Sequence, residues 1–186
     1  MELGGGWSIR ILLPGMTSDL GSAYALSGRV DEAMPLLEQA VEQHTAIRGA
    51  AGLSAIVTNL GRAHLLAGRL DNAAALGEQS LALSRAHRER GQLAHANYLR
   101  GEIAAHAGAP DLEKAEAAYR EGIALSEELE MRPLAAQCRL GLGTLYRRAS
   151  LPEKAMEQLS AASLLFGKMD MPFWLLKSEA EIKTIG

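Results

Sequence analysis

Four stretches of this chain carry the same order of apolar and polar positions. They read LGSAYALSGRVDEAMPLLEQAV from Leu20, LGRAHLLAGRLDNAAALGEQSL from Leu60, RGEIAAHAGAPDLEKAEAAYREGI from Arg100 and LGTLYRRASLPEKAMEQLSAAS from Leu142. Each contains a helical stretch, a short turn and a second helical stretch. Gly21, Gly61, Gly101 and Gly143 follow one another at intervals of 40, 40 and 42 residues. An alanine comes after each, at Ala33, Ala73, Ala115 and Ala155, with gaps of 12, 12, 14 and 12 residues. Self-similarity at a period of roughly 20–50 residues marks a stacked-repeat protein.

The turns are legible too. Gly28, Gly68 and Gly108 stand where a helix ends in the left-handed conformation, and Ser150 takes that place in the fourth unit. Asp31, Asp71 and Asp111 then stand near the next helix start, where a carboxylate favours the positive end of the dipole. Pro152 suits a first turn. The third unit is longer because Pro110 and Asp111 are added to its turn. The small Gly and Ala side chains predict helix pairs in close approach, with a larger residue at Gly61 or Ala73 overpacking the pair. The pattern predicts nine helices, near 16–27, 30–47, 51–67, 70–88, 92–107, 111–128, 132–148, 151–167 and 172–184. The six prolines are expected at helix boundaries or in an irregular N-terminal lead over 1–15, which holds Gly4, Gly5, Gly6, Pro14 and Gly15. The repeat domain is expected over 16–186, with units near 16–47, 51–88, 92–128 and 132–167. A cap over 172–184 would cover the end of the stack with Phe173 and Trp174.

The Leu-Gly pair, the aromatics Tyr24 and Tyr146 three residues after it and the alanine twelve after it resemble the tetratricopeptide repeat. His64 and Ala104 depart from the aromatic position. The resemblance implies an all-α fold, a right-handed α-α superhelix of about four helix-turn-helix repeats of 40–42 residues plus a C-terminal capping helix. Stretches such as ERGQLAHANYLRGEIAAH, MRPLAAQCRLGLGTLYRRA and KMDMPFWLLKSEAEI are also similar to the C-terminal repeat region of bacterial signalling proteins that couple adenylate or guanylate cyclase domains, or DNA-binding regulators, to an ATPase. That likeness implies a sensing or scaffolding module and no cyclase activity. The first helix starts mid-pattern, which suggests that the chain is a fragment, or a shortened descendant, of something longer.

Composition narrows the function. The 186 residues are 48% apolar, mostly Ala and Leu, with only two Phe, two Trp and four Tyr, which suits close-packed helices. A net charge of −3 offers no broad basic field for nucleic acid and no Lys/Arg cluster for an anionic membrane. One cysteine, Cys138, fits a reducing compartment, and the N-terminus reads as neither signal peptide nor membrane span, so a cytoplasmic location is expected.

Chemistry is sparse. There is no phosphate-binding loop. The GxG at Gly141-Leu142-Gly143 lies inside a predicted helix with no preceding strand, so it is a poor dinucleotide signal. The five histidines have no metal-ligand spacing, and His64 reads as a filler of the aromatic slot rather than a ligand. Cys138 reads as a buried thiol rather than a nucleophile. Glu127, Glu128 and Glu130 read as a solvated edge or, as the alternative, an interaction patch; the run Arg85, His87, Arg88 and Arg90 reads as helix-end stabilisation. No cofactor, metal or catalytic residue is expected, and the chain is not expected to be an enzyme.

The resemblance places partner binding on the concave side, lined by the first helix of each pair. The positions are Ser18 and Ser22, then Thr58, Asn59 and Arg62, then His95, Tyr98, Glu102 and His106, and then Gln137, Thr144, Arg147 and Arg148, with Lys177 near the cap. This mixed surface, more positive toward its C-terminal end, suits an extended peptide or an acidic segment. Asn97 and Arg100 fall where the repeat usually has apolar core. Three readings stand open there: a rotated helix, an Arg100 that snorkels to an acidic neighbour such as Glu116, or a homodimer contact. The resulting expectation is a non-enzymatic scaffold for a protein or peptide partner. The alternatives are a small-ligand or peptide sensor arm of a signalling ATPase or cyclase system, and a homo-oligomerisation module.

Overall fold

The computed structural model describes residues 5–47, 51–106 and 111–185, with residues 5–11 by backbone alone. Among the described residues there are nine α-helices and no strand: α1 (Gly5–Leu26), α2 (Val30–Ala46), α3 (Leu53–Leu66), α4 (Leu70–Ala86), α5 (Arg90–His106), α6 (Leu112–Glu128), α7 (Arg132–Arg148), α8 (Pro152–Lys168) and α9 (Pro172–Lys183). The chain divides into two compact units, residues 1–92 and 93–186. None of the described helices is long and apolar enough to cross a membrane.

Helix α1 corrects the expected irregular lead. It begins at Gly5 and runs through Pro14. Proline removes one intrahelical hydrogen bond, yet Pro14 is fully buried, so packing holds a segment that local propensity opposes. Pro35 likewise lies inside α2 rather than at its boundary. It is exposed, so water can reach the carbonyl it leaves unbonded. Pro133, Pro152 and Pro172 occupy first-turn positions as expected. Gly108 and Pro110 lie outside the described residues.

Helix ends follow one scheme. Gly28 and Gly68 have φ of +82° and +73°. Behind them Arg29 N–H reaches back to the Tyr24 carbonyl and Arg69 N–H to that of His64, both at 2.9 Å. This 6→1 bond satisfies a carbonyl the helix leaves open. Arg88, Glu130, Ser150 and Asp170 adopt the same left-handed conformation without glycine, at φ of +53° to +58°. Ser150 was legible as a substitute, whereas the three charged residues were not. Asp111 caps α6 by accepting from Lys114 N–H at 3.0 Å, and Asp31 and Asp71 sit in the first turns of α2 and α4.

In the first unit α1 packs on α2 and α3, and α3 packs on α4. Ala33 and Ala73 are completely buried, as are Ala115 and Ala155 in the second unit. What meets the repeat glycine is the residue one helical turn beyond that alanine. A Cβ on Gly21 would lie 2.7 Å from Leu37, one on Gly101 2.7 Å from Tyr119, and one on Gly143 2.6 Å from Leu159. The second repeat has Gly77 at the matching position, also buried.

In the second unit Tyr119 of α6 lies between two helices. Its ring fills the space that a Cβ would take at Gly101 on α5 and at Gly141 on α7, 2.7 and 2.6 Å away. The GxG motif is therefore a pair of packing glycines, Gly141 for Tyr119 and Gly143 for Leu159. Burial first, and the Glu102 carboxylate second, push the Tyr119 phenol well above its ordinary pKa; its hydroxyl donates to Glu102 Oε1 at 2.5 Å. Cys138 is completely buried, its Sγ 3.0 Å from where Gly122 would carry a Cβ.

At the end of this unit the expected cap is half corrected. Trp174 of α9 stacks on the buried Phe166 of α8, with ring centroids 5.8 Å apart. Phe173 instead meets the Trp174 ring edge and is 69% exposed. Asn97 is buried, and Arg100 is half-buried and donates from Nη1 to the Asn97 side-chain oxygen Oδ1 at 3.2 Å. Glu116, named as a neighbour for Arg100, pairs with Arg120 at 2.8 Å.

Candidate functional site

In the first unit, α1, the end of α2 and the start of α3 line an open pocket of about 270 Å³. Its apolar wall includes Leu12, Ala55 and Ile56, and its polar wall Ser18, Asp19 and Asn59. Ser18 and Asn59 come from different helices, and Asn59 Nδ2 donates to Ser18 Oγ at 3.0 Å. His44 closes one side, with Nε2 donating to the Ala51 carbonyl at 2.9 Å. His44 Nδ1 is buried with no partner among the described residues.

A polar ladder stands behind that wall. Thr58 is buried and donates to the Ser54 carbonyl at 2.8 Å, while Ser80 Oγ lies 2.6 Å from Thr58 Oγ1. Glu89, in the turn after α4, accepts from Gly52 N–H at 2.9 Å and from the Ser54 hydroxyl. Gly52 is the residue before α3, has φ of +90° and offers no side-chain cap. Glu89 therefore caps α3 from a distant point in the sequence, placing a carboxylate at the positive end of the helix dipole. Sequence reasoning missed Ser54, Ser80, Glu89, His44 and Asp19. Ser80 and Ser84 one turn apart on a buried face were the available signal; Glu89 was masked by its basic neighbours.

His64 is buried, with Nδ1 lacking a partner among the described residues, and it fills the aromatic slot of its repeat. Burial first, and the nearby Arg69 charge second, hold its pKa below the ordinary histidine value.

The remaining expected groove positions fare differently. Thr58 and Tyr98 are buried in the packed layers, the latter against Tyr119 with ring centroids 6.4 Å apart. Asn59 and Arg62 are half-buried. Glu102 is half-buried beneath the Tyr119 hydroxyl, and exposed His106 donates from Nδ1 to the Glu102 backbone carbonyl at 2.8 Å. Gln137 and Thr144 are half-buried on α7 and Arg148 is exposed. Arg147 Nε is held by Glu181 of α9 at 2.7 Å, so its charge is already matched. No group of three or more His, Cys, Asp or Glu among the described residues could hold a metal ion.

The family model for the tetratricopeptide repeat matches residues 13–86. Among solved structures, a Podosopora anserina protein described as a putative kinesin light chain with nearly identical TPR-like repeats is 21% identical, with a TM-score of 0.69, covering 100% of this chain and 87% of its own. A point variant of that protein is 20% identical with a TM-score of 0.70, over 95% of this chain and 86% of its own. BtubC (BKLC) of P. vanneervenii is 18% identical with a TM-score of 0.73, over 97% and 81%. No curated protein matches the chain. Residues 13–86 thus match the tetratricopeptide repeat, and the fold is that of TPR-like helical-repeat proteins.

Proposed function

We propose that the chain is a non-enzymatic scaffold that binds a protein or peptide on the faces of its first-of-pair helices, α1 and α3 in one unit and α5 and α7 in the other. The observation that carries this reading is the pocket formed by α1 and α3, since a concave patch with apolar walls and a few convergent polar groups is how extended ligands are anchored. In the second unit the reading draws on Glu102, His106, Gln137, Thr144 and Arg148, which are not fully buried; Arg147 contributes only where a partner displaces Glu181. The scaffold is placed in the cytoplasm and works without cofactor, nucleic acid or membrane. A homodimer is the alternative use of the same repeats.

The test is a peptide library screened against the purified chain, with binders mapped by amide chemical shifts. Shifts on α1, α3, α5 or α7 support the reading; binders that map only to α2, α4, α6 and α8, or no binder at all, overturn it. Light scattering decides the dimer: a monomeric mass at all concentrations removes it. A second reading, a sensor arm of a bacterial signalling ATPase or cyclase system, rests on the likeness of the stretches from Glu89, Met131 and Lys168. It requires a melting temperature that rises with a small ligand or nucleotide.

A further inference from the structure

Three donors on the wall of the α1–α3 pocket are turned toward the protein. Gly52 N–H goes to Glu89, His44 Nε2–H to the Ala51 carbonyl, and the Asn59 amide nitrogen to Ser18 Oγ. The wall leaves acceptors open. Asn59 directs its nitrogen inward, which leaves its carbonyl oxygen for a ligand. Asp19 is exposed at the rim and has no hydrogen bond or ion pair among the described residues. It is the only carboxylate among the described residues that line the pocket, and no Lys or Arg stands among them. The rest of the lining is short or apolar, from Gly15 and Ala55 to Leu12 and Ile56.

At about 270 Å³ the space is below the roughly 300–1,000 Å³ of pockets that enclose whole small molecules, and it suits one long side chain. We propose that this pocket anchors a basic side chain, lysine or arginine, of a peptide partner. The methylene stem lies against Leu12, Ala55 and Ile56, as such stems do on apolar surface, and the cationic head meets Asp19 and the Asn59 carbonyl. This rests on the peptide-binding reading above and gives it a partner chemistry opposite to the acidic segment that the α7 arginines suggest.

The probes are acetylated and amidated Gly-Lys-Gly and Gly-Arg-Gly, with norleucine and glutamate analogues as controls, titrated into the isotope-labelled chain. Saturable amide shifts at Asp19, Ala55 and Asn59 with the two basic probes are expected. Asp19→Asn should weaken both at least about tenfold, the loss of a charge-assisted hydrogen bond. Ala55→Leu should block them by filling the space, and raised salt should weaken them. Both substitutions are checked for unchanged helicity; Asp19 is exposed, so Asp19→Asn tests charge without disturbing packing. Norleucine or glutamate probes binding equally, Asp19→Asn binding unchanged, or shifts arising only elsewhere would overturn the anchor. Basic probes that leave the pocket silent while a library peptide shifts α5 or α7 sink the anchor and leave the scaffold reading standing. Silence from every peptide sinks both.

Discussion

The α3–α4 repeat of the first unit and the repeats of the second unit fill the same framework by opposite means. The interior of the second unit is built from large side chains seated on glycines: Tyr119 against Gly101 and Gly141, Leu159 against Gly143, and Trp174 on Phe166. In the first unit, the α3–α4 pair has Gly77 where the other repeats place a large side chain, and hydroxyls carry the layer instead, Ser54, Thr58, Ser80 and the reach of Glu89. The difference teaches that the repeat constrains spacing more than chemistry. A knob on glycine gains dispersion contacts and apolar burial. A polar ladder gains specificity of partners but leaves little tolerance for a missing one, because an orphaned buried group carries its whole desolvation cost.

The contrast can be broken from either side. Tyr119→Ala should cost about 3–5 kcal/mol in urea denaturation, the largest effect expected, since it empties a site closed by rigid helices. Tyr119→Phe keeps the knob and loses only the Glu102 bond, so its loss should be about 1–3 kcal/mol. If both substitutions cost the same, the knob account of the second unit fails. In the first unit Glu89→Ala should cost about 1–3 kcal/mol by uncapping Gly52 N–H and the Ser54 hydroxyl. Amide exchange should then rise in the first turn of α3 before the rest of the unit; uniform change would remove Glu89 as a cap.

His64 sharpens the contrast through pH. Its folded pKa is depressed below the ordinary value of 6.5, so the unfolded chain binds the proton more readily. The stability from keeping His64 neutral is complete above that value and is lost as pH falls through the lower folded pKa. His64→Phe should flatten the fall in melting temperature below pH 6.5; an unchanged pH profile would refute the assignment. The smallest effect is at the turns. Glu130→Gly and Asp170→Gly should each stabilise by about 0.5–1 kcal/mol by relieving a left-handed residue that carries a Cβ, with Gly28→Ala acting in the opposite direction.

The repeat itself was readable because spacing survives substitution. The Gly-to-Ala gaps, the glycine turns, Ser150 as a stand-in and His64 as a core filler all follow from local rules that a single sequence obeys. Features set by tertiary context were not. Pro14 argues locally against a helix, and only its burial in α1 overrides that. Glu89 looks like one charge in a basic run, and its role depends on a helix start 37 residues earlier. For Arg100 the sequence leaves three readings open, a pairing with an acidic neighbour such as Glu116 being one, and the bond to Asn97 one turn away on its own helix is not among them. Of the expected groove, Thr58 and Tyr98 are interior because the facing helix is near enough to cover them, a distance that periodicity does not encode.

Cys138 is the chain's single thiol and is wholly enclosed between α6 and α7. It makes the second unit its own clock. A thiol reagent added to the unmodified protein can react only when those helices part, so the labelling rate, divided by that of the unfolded chain, gives the fraction of time they are open. Followed against temperature or a bound peptide, one native atom reports how firmly this half of the molecule is shut.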